Sequence, residues 1–251
     1  MSLSIVGLGV ANDITQEGLK ELSSCDEAFC EYHTMPIDSG YVKALEKKSG
    51  KKITLIGRDK VEGDFLLKIA KAKKVCLLCG GDPLVATTHI SLLIDARKAG
   101  IETKIIHNSS ILSAACGKSG LQPYKFGKTV TVSYWRPKYE PTSPLLLIEK
   151  NLLAGMHTLA LLDLDKELGM MDAKLGLELL RKMEAKEGKT VLPPEVVVLS
   201  RVGYPDERIS FGKIEELIKV DLGKPPFCIC IPAEMHEMER EYLLVFGDLK
   251  K

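Results

Sequence analysis

Two glycine strings carry residue types that could bind and orient a small ligand: Gly7-Leu8-Gly9 near the amino terminus, and Gly80-Gly81-Asp82-Pro83. Glycine lets a backbone turn or approach a ligand with no Cβ in the way, and a carboxylate beside such a turn can accept from a hydroxyl or attract a cation. The run 75–79, Val-Cys-Leu-Leu-Cys, reads as a strand buried on both faces of a parallel sheet. Asp82 then fits an N-cap and Pro83 a first helical position, and Val85, Leu92, Ala96 and Ala99 recur at helical spacing, which predicts a helix over 85–98. The second string therefore sits where a strand ends and a helix begins, the place where open α/β folds bind ligands. On its four residues alone, Gly-Gly-Asp-Pro reads first as a helix start and only second as a ligand loop.

Other chemistries find little support. Gly7-x-Gly9 is placed for a dinucleotide fingerprint, with Glu27 and Glu31 about where a ribose-binding acid belongs, but position 12 is Asn rather than the third glycine. There is no Gly-x-x-x-x-Gly-Lys-Ser/Thr phosphate loop and no Gly-x-Ser-x-Gly elbow. The five histidines, His33, His89, His107, His157 and His236, show no metal-site spacing, so no metal is expected. Cys76 and Cys79 form a Cys-x-x-Cys, but on a strand residues three apart point to opposite faces. Cys228 and Cys230 could share a strand face, yet Cys25, Cys30 and Cys116 complete no ligand set, and small buried thiols are the better reading.

The elements that must position these loops alternate along the chain. A first strand over 3–9 is followed by a helix capped by Thr15; further strands fall at 28–32, 53–56 and 101–107, with helices at 41–48 and 65–73, and Asn108-Ser109-Ser110 caps a helix over 111–116. This alternation predicts an α/β domain with a mostly parallel sheet. Three prolines between 135 and 144 follow a strand over 129–133, and Trp135 there reads as a packing residue. The second half predicts helices at 145–153, 172–186, 213–220 and 236–245 and strands at 157–164, 196–202 and 227–231, with Asp172 and Gly188 as cap and stop. The expected fold is two successive α/β domains, 1–121 and 122–251, with a ligand cleft between them.

At 251 residues the chain can bury a sizeable core, and a formal net charge of +1 gives no global field toward nucleic acid or an anionic membrane. No apolar run approaches the roughly 18 residues needed to span a bilayer. Seven cysteines without framework spacing and an amino terminus that enters a strand without a leader pattern predict a cytoplasmic protein.

The longer string Gly81-Asp-Pro-Leu-Val-Ala-Thr-Thr-His89 resembles the central loop of the diphthine synthases within the tetrapyrrole methylase family. The resemblance continues through Ile5-Val-Gly-Leu-Gly9 with Asp13-Ile-Thr15, His107-Asn-Ser-Ser-Ile111, Gly120-Leu-Gln122, Tyr124-Lys-Phe-Gly127 and His157-Thr-Leu159. It closes with Pro225-Pro226, Ile231-Pro232, Met235-His236 with Glu239, and Glu241-Tyr-Leu243. It implies a homodimeric enzyme that moves methyl groups from S-adenosyl-L-methionine to the amino nitrogen of a modified histidine on translation elongation factor 2, on the way to diphthamide. The positions it marks for the cofactor are Val10, Asp82, Val85, Ser110 and Ile111 in the first half and Leu162, Val202 and Phe227 in the second. Phe227 departs from the family, which often has histidine there: a backbone contact would tolerate the change and a ring contact would not. Methyl transfer by direct displacement needs a neutral amine in line with the methyl carbon, so a dedicated base is optional. Asp82, Asp163 and His89 are the polar candidates, and none is assigned. The alternatives are a corrin-pathway methyltransferase of the same fold and a non-catalytic nucleotide-binding module.

Overall fold

The computed structural model describes residues 1–32, 37 and 39–247, and His33 lies outside the described residues. The chain divides into two compact units, Met1–Ile111 and Leu112–Lys251. The boundary expected at 121/122 falls beyond the helix that follows this division.

The first unit contains β1 (Ser2–Gly7), α1 (Gln16–Ser24), β2 (Glu27–Glu31), α2 (Ser39–Ser49), β3 (Ile53–Ile56), α3 (Arg58–Glu62), α4 (Phe65–Ala70), β4 (Lys74–Cys79), α5 (His89–Lys98) and β5 (Glu102–Ile106). Its sheet has the order β3-β2-β4-β1-β5, and every pair is parallel. The period of two is visible in β4: Val75, Leu77 and Cys79 pack into one apolar cluster and Cys76 and Leu78 into another. Cys76 and Cys79 thus belong to opposite faces, as their spacing requires. Thr15 caps α1 by accepting from the Gly18 amide at 3.0 Å. The chain leaves β1 toward β2 on one side and leaves β4 for β5 on the far side of β1. The carboxyl ends of β1 and β4 therefore lie where the winding reverses, which is where ligand loops collect in such sheets.

The segment expected to run as one helix from 85 begins instead at His89, with Thr88 as N-cap. Asp82 does not cap α5. Its carboxylate closes a local turn by accepting from the Leu84 amide at 2.9 Å, and Ala86 takes φ +56°, a left-handed conformation that no helix can contain.

Helix α6 (Ile111–Ser119) begins at the last residue of the first unit. The second unit continues with β6 (Val130–Val132), α7 (Ser143–Leu153), β7 (Thr158–Leu162), the short hairpin β8 (Leu164–Asp165) and β9 (Gly169–Met170), α8 (Ala173–Glu187), β10 (Glu195–Ser200), β11 (Arg208–Lys213), α9 (Ile214–Leu217), β12 (Phe227–Ile231) and α10 (Glu237–Phe246). Its sheet runs β11-β10-β12-β7-β6, and only the β6–β7 pair is parallel. The reason lies in the connections: seven residues separate β10 from β11, too few for a parallel crossover. Strand β11 reaches Lys213, the first residue of the helix expected over 213–220, and of that helix only the single turn α9 forms. Asp172 and Gly188 do bound α8, the first accepting from the Lys174 amide and the second at φ +62°. Trp135 packs against the core formed by α7, α8 and the sheet, with the Lys186 ammonium 5.3 Å from its ring centre.

Candidate functional site

Three loops meet at the carboxyl edge of the first sheet: the one after β1, the one after β4 and the one after β5. Gly9 and Gly81 exchange backbone hydrogen bonds of 3.1 and 3.0 Å. The Asn108 side chain donates to the Gly7 and Asp13 carbonyls at 2.9 and 2.7 Å, and the Val10 amide donates to Ser109 Oγ at 3.2 Å. Gly7 is required by closeness, because a Cβ there would stand 2.5 Å from the Gly81 carbonyl oxygen and 2.9 Å from Pro83 Cδ. Gly81 is required by conformation, with φ +66°. The space its side chain would take is open, with nothing nearer than the Ser109 carbonyl oxygen at 4.0 Å.

Asp82 is the charge at this junction. Its Oδ1 accepts from the Leu84 amide at 2.9 Å, and its Oδ2 accepts from His107 Nδ1 at 2.8 Å and from the Asn108 amide at 3.2 Å. Burial opposes ionisation, but the Leu84 amide, the His107 ring and the Asn108 amide together hold the carboxyl below its ordinary range. Three of roughly four acceptor positions are thus used within the loops, leaving one on Oδ1. Val10, Asp82, Val85, Ser110 and Ile111 all lie on these three loops or at the start of α6. The open space at Gly81, beside a buried carboxylate that among the described residues keeps one acceptor position, suits a ligand that carries hydroxyls and a cation.

The remaining three marked residues share one edge of the second sheet. Because β12 runs antiparallel to both neighbours, its first residue lies beside their last: Phe227 pairs with Ser200, and Cys228 with Leu161. Leu162 ends β7, and Val202 follows β10 through Arg201, whose amide donates to the Pro226 carbonyl at 2.9 Å. The side chains face inward, however. The Phe227 ring belongs to the core, and Leu162 packs on α8 so closely that a Cβ at Gly176 would stand 2.8 Å from its Cδ2. The side chains of Leu162 and Phe227 are therefore occupied by core packing. Asp163, beside them, accepts from the Tyr134 amide at 3.1 Å.

The closing motifs of the second unit form a buried hub rather than a ligand surface. Glu239 Oε1 accepts from the Gln122 amide at 2.8 Å and from His157 Nε2 at 3.1 Å, and Oε2 accepts from Lys125 Nζ at 2.8 Å and from the His236 amide at 2.7 Å. Burial opposes its charge, yet these donors pull the carboxyl down to about 2. His236 in turn caps α10, with Glu239 completing a capping box. Gly120 belongs to the same arrangement, since a Cβ there would stand 2.1 Å from the Tyr242 ring.

Sequence reasoning missed three features. Ala86 gives no signal of its left-handed backbone. Asn12, at φ +58°, and Arg201, at φ +50°, are the corresponding residues of the loops after β1 and β10, and left-handed non-glycine residues gather where function over-determines a backbone. The third is a cluster of Glu31, Cys79 and His89, whose potential ligand atoms lie within 4.8 Å of one another. Both His89 nitrogens are already engaged, with Pro83 and Glu31, and burial pushes the Cys79 thiol well above its ordinary range. Among the described residues no helix is long and apolar enough to cross a membrane.

A family model described as tetrapyrrole (corrin/porphyrin) methylases matches residues 2–218. The diphthine synthase of Methanothermobacter thermautotrophicus is 40% identical over 248 residues, covering 96% of this chain and 94% of its own. That of Methanocaldococcus jannaschii is 40% identical over 250 residues, covering 96% and 97%. A crystal structure of a diphthine synthase superposes with a TM-score of 0.87 at 34% identity, covering 99% of this chain and 96% of that one.

Proposed function

The chain belongs to the tetrapyrrole methylase family, and from that premise we propose that it is an S-adenosylmethionine-dependent methyltransferase of the diphthine synthase type. Its substrate is the amino group of the modified histidine of translation elongation factor 2. The observation that carries the reading is the junction of the three strand-end loops around Asp82, which joins the open space at Gly81 to a buried carboxylate.

When bound, S-adenosylmethionine would supply a methyl group on a sulfonium, taken up by a neutral amine as the methyl–sulfur bond breaks and S-adenosylhomocysteine leaves as a neutral thioether. The chain's part is to hold and orient. The loops around Gly9, Gly81 and Ser109 offer backbone groups, Asp82 keeps one acceptor position toward a hydroxyl or a cation, and Val10, Val85 and Ile111 add apolar contact. For Leu162, Val202 and Phe227, which the family resemblance marks in the second unit, contact through the backbone would make phenylalanine at 227 compatible with binding. No residue is assigned as a base, because orientation and exclusion of water answer most of what the displacement demands. The active species is a homodimer in the cytoplasm, and sedimentation should give about twice 27.6 kDa.

The direct test is incubation with elongation factor 2 carrying the modified histidine and methyl-labelled S-adenosylmethionine, read by mass spectrometry of the factor. Mass added in methyl increments on that histidine is the expected result. Label passing to a corrin-pathway tetrapyrrole instead, or cofactor binding with transfer to neither substrate, would overturn the reading.

A further inference from the structure

His89 is only 1% exposed, and both of its ring nitrogens are committed. Nδ1 lies 2.7 Å from the Pro83 carbonyl oxygen and Nε2 lies 3.0 Å from Glu31 Oε2. A carbonyl can only accept, so Nδ1 carries a proton, and in the ion pair with Glu31 Nε2 carries one too. A ring donating at both ends is an imidazolium, and Glu31, fully buried at the end of β2, balances its charge. Burial pulls the ring toward neutrality, but Glu31 and the Pro83 carbonyl prevail and raise its pKa. Cys79 on β4 is the third ionisable group of the cluster, and burial keeps its thiol neutral.

Two buried charges are a poor way to gain stability, since desolvating them offsets much of their attraction. What this pair holds is more informative. The Pro83 carbonyl also accepts from Thr87 Oγ1 at 2.7 Å, so two donors fold the chain from 83 to 89 back onto one oxygen. Ala86 lies inside that fold at φ +56°, and nothing in its side chain favours that conformation. Thr88, at the N-cap position of α5, donates its hydroxyl to Glu62 Oε1 at 2.9 Å rather than capping the helix, which fixes the far end. The Ala-Thr-Thr-His string is accordingly a clamp around one carbonyl, seated on a charged pair.

We propose that His89, held as an imidazolium between Glu31 and the Pro83 carbonyl, is a positioning residue that fixes the 82–88 loop and so sets where Asp82 and Val85 meet the cofactor. This rests on the function proposed above, and the test separates the two.

Calorimetric titration with S-adenosylhomocysteine compares the full-length protein with His89→Gln and Glu31→Gln, and with Leu45→Ala. The last variant truncates a buried α2 residue of a different core cluster. Binding at least tenfold weaker in the first two, with Leu45→Ala binding like the parent, is the expected result. In parallel, amide hydrogen exchange at 84–88 should quicken at least tenfold in the two clamp variants, a readout that needs no ligand. Glu31→Gln preserves shape and keeps the test open should His89→Gln fail to fold. Nitrogen-15 spectra of the parent should show both His89 ring nitrogens protonated at pH 6.5, where a histidine of ordinary pKa is half neutral.

Unchanged affinity together with unchanged exchange would overturn the clamp, and so would a neutral His89 ring or one bound metal ion per chain in elemental analysis. If the parent itself fails to bind S-adenosylhomocysteine, the cofactor reading fails, while the exchange and nitrogen-15 results still decide the clamp.

Discussion

Each unit buries one histidine against one glutamate, and the two pairs come to opposite charge states. In the first unit His89 meets Glu31 with Nε2 and the Pro83 carbonyl with Nδ1. In the second His157 meets Glu239 with Nε2, while its Nδ1 accepts from the Ala233 amide at 2.9 Å. A backbone donor at the second nitrogen forbids a proton there, so His157 is neutral, and burial ahead of every other influence lowers its pKa. A backbone acceptor at the same place demands a proton, and with Nε2 also donating, to Glu31, His89 is charged. The lesson is that the residue pair does not set the charge; the backbone atom on the other side of the ring does. Glu239 can spare a cationic histidine because Lys125 and two amides already stabilise it, whereas His89 is the cation beside Glu31 in the first pair.

The largest expected effect is at Glu239. Its two oxygens take four donors, and Glu239→Gln turns one oxygen into an NH2 group facing donors in a buried site. Loss of one member of a buried charged network costs roughly 3–5 kcal/mol, to be read from a urea transition. A loss below about 1 kcal/mol, the size of a surface pair, would mean that the hub is not what secures α10. Asp82→Asn should cost less, roughly 1–3 kcal/mol. The amide oxygen can still serve Leu84, but the amide nitrogen then faces two donors, His107 and the Asn108 amide. Calorimetry with S-adenosylhomocysteine on the same variant reports on the unused acceptor position: weaker binding places Asp82 against the ligand, and unchanged binding leaves it a loop organiser.

Titration sharpens the contrast through sign. For His89 the folded pKa lies above the ordinary 6.5, so its contribution is complete below pH 6.5 and is lost as pH rises through the folded value. For His157 the folded pKa lies below 6.5, so the unfolded chain takes up its proton first and stability is lost as pH falls below 6.5. Glu239 contributes fully above its ordinary 4.5, and that contribution is lost as pH falls toward about 2. Stability measured against pH for His89→Gln and His157→Gln, each subtracted from the parent, should therefore give differences of opposite slope. Two differences of the same slope would contradict the assigned charge states.

The architecture of the first unit was legible because its strands are apolar runs and its helices carry caps, Thr15 among them. The loops at the strand ends were legible as glycine positions. Their shape was not: Asp82-Pro83 carries the same local signal whether it starts a helix or closes a turn, and only the Pro83 carbonyl with its two donors decides. The antiparallel second sheet was hidden because β11, Arg-Ile-Ser-Phe-Gly-Lys, offers just two large apolar residues. The role of His236 was hidden as well, since a capping box is recognised by Ser or Thr at that position. Motifs that mark the family, such as Tyr124 to Gly127 and His236 with Glu239, were visible as a resemblance, yet their work in the hub depends on contacts more than 100 residues apart in sequence.

His107 provides the mildest test, because it is a third histidine–carboxylate pair in which the ring is not buried. Its side chain is 65% exposed while Asp82 beside it is 8% exposed, so water screens one partner and can replace it. His107→Ala removes one of three donors to Asp82 and leaves the Leu84 and Asn108 amides in place. The expected loss is about 0–1 kcal/mol, the size of an exposed pair. The order Glu239, Asp82, His107 then follows how far each change strands a polar group away from water. A His107→Ala loss as large as that of Glu239→Gln would break this order, because it would show that the amides alone cannot hold the Asp82 carboxylate where three loops meet.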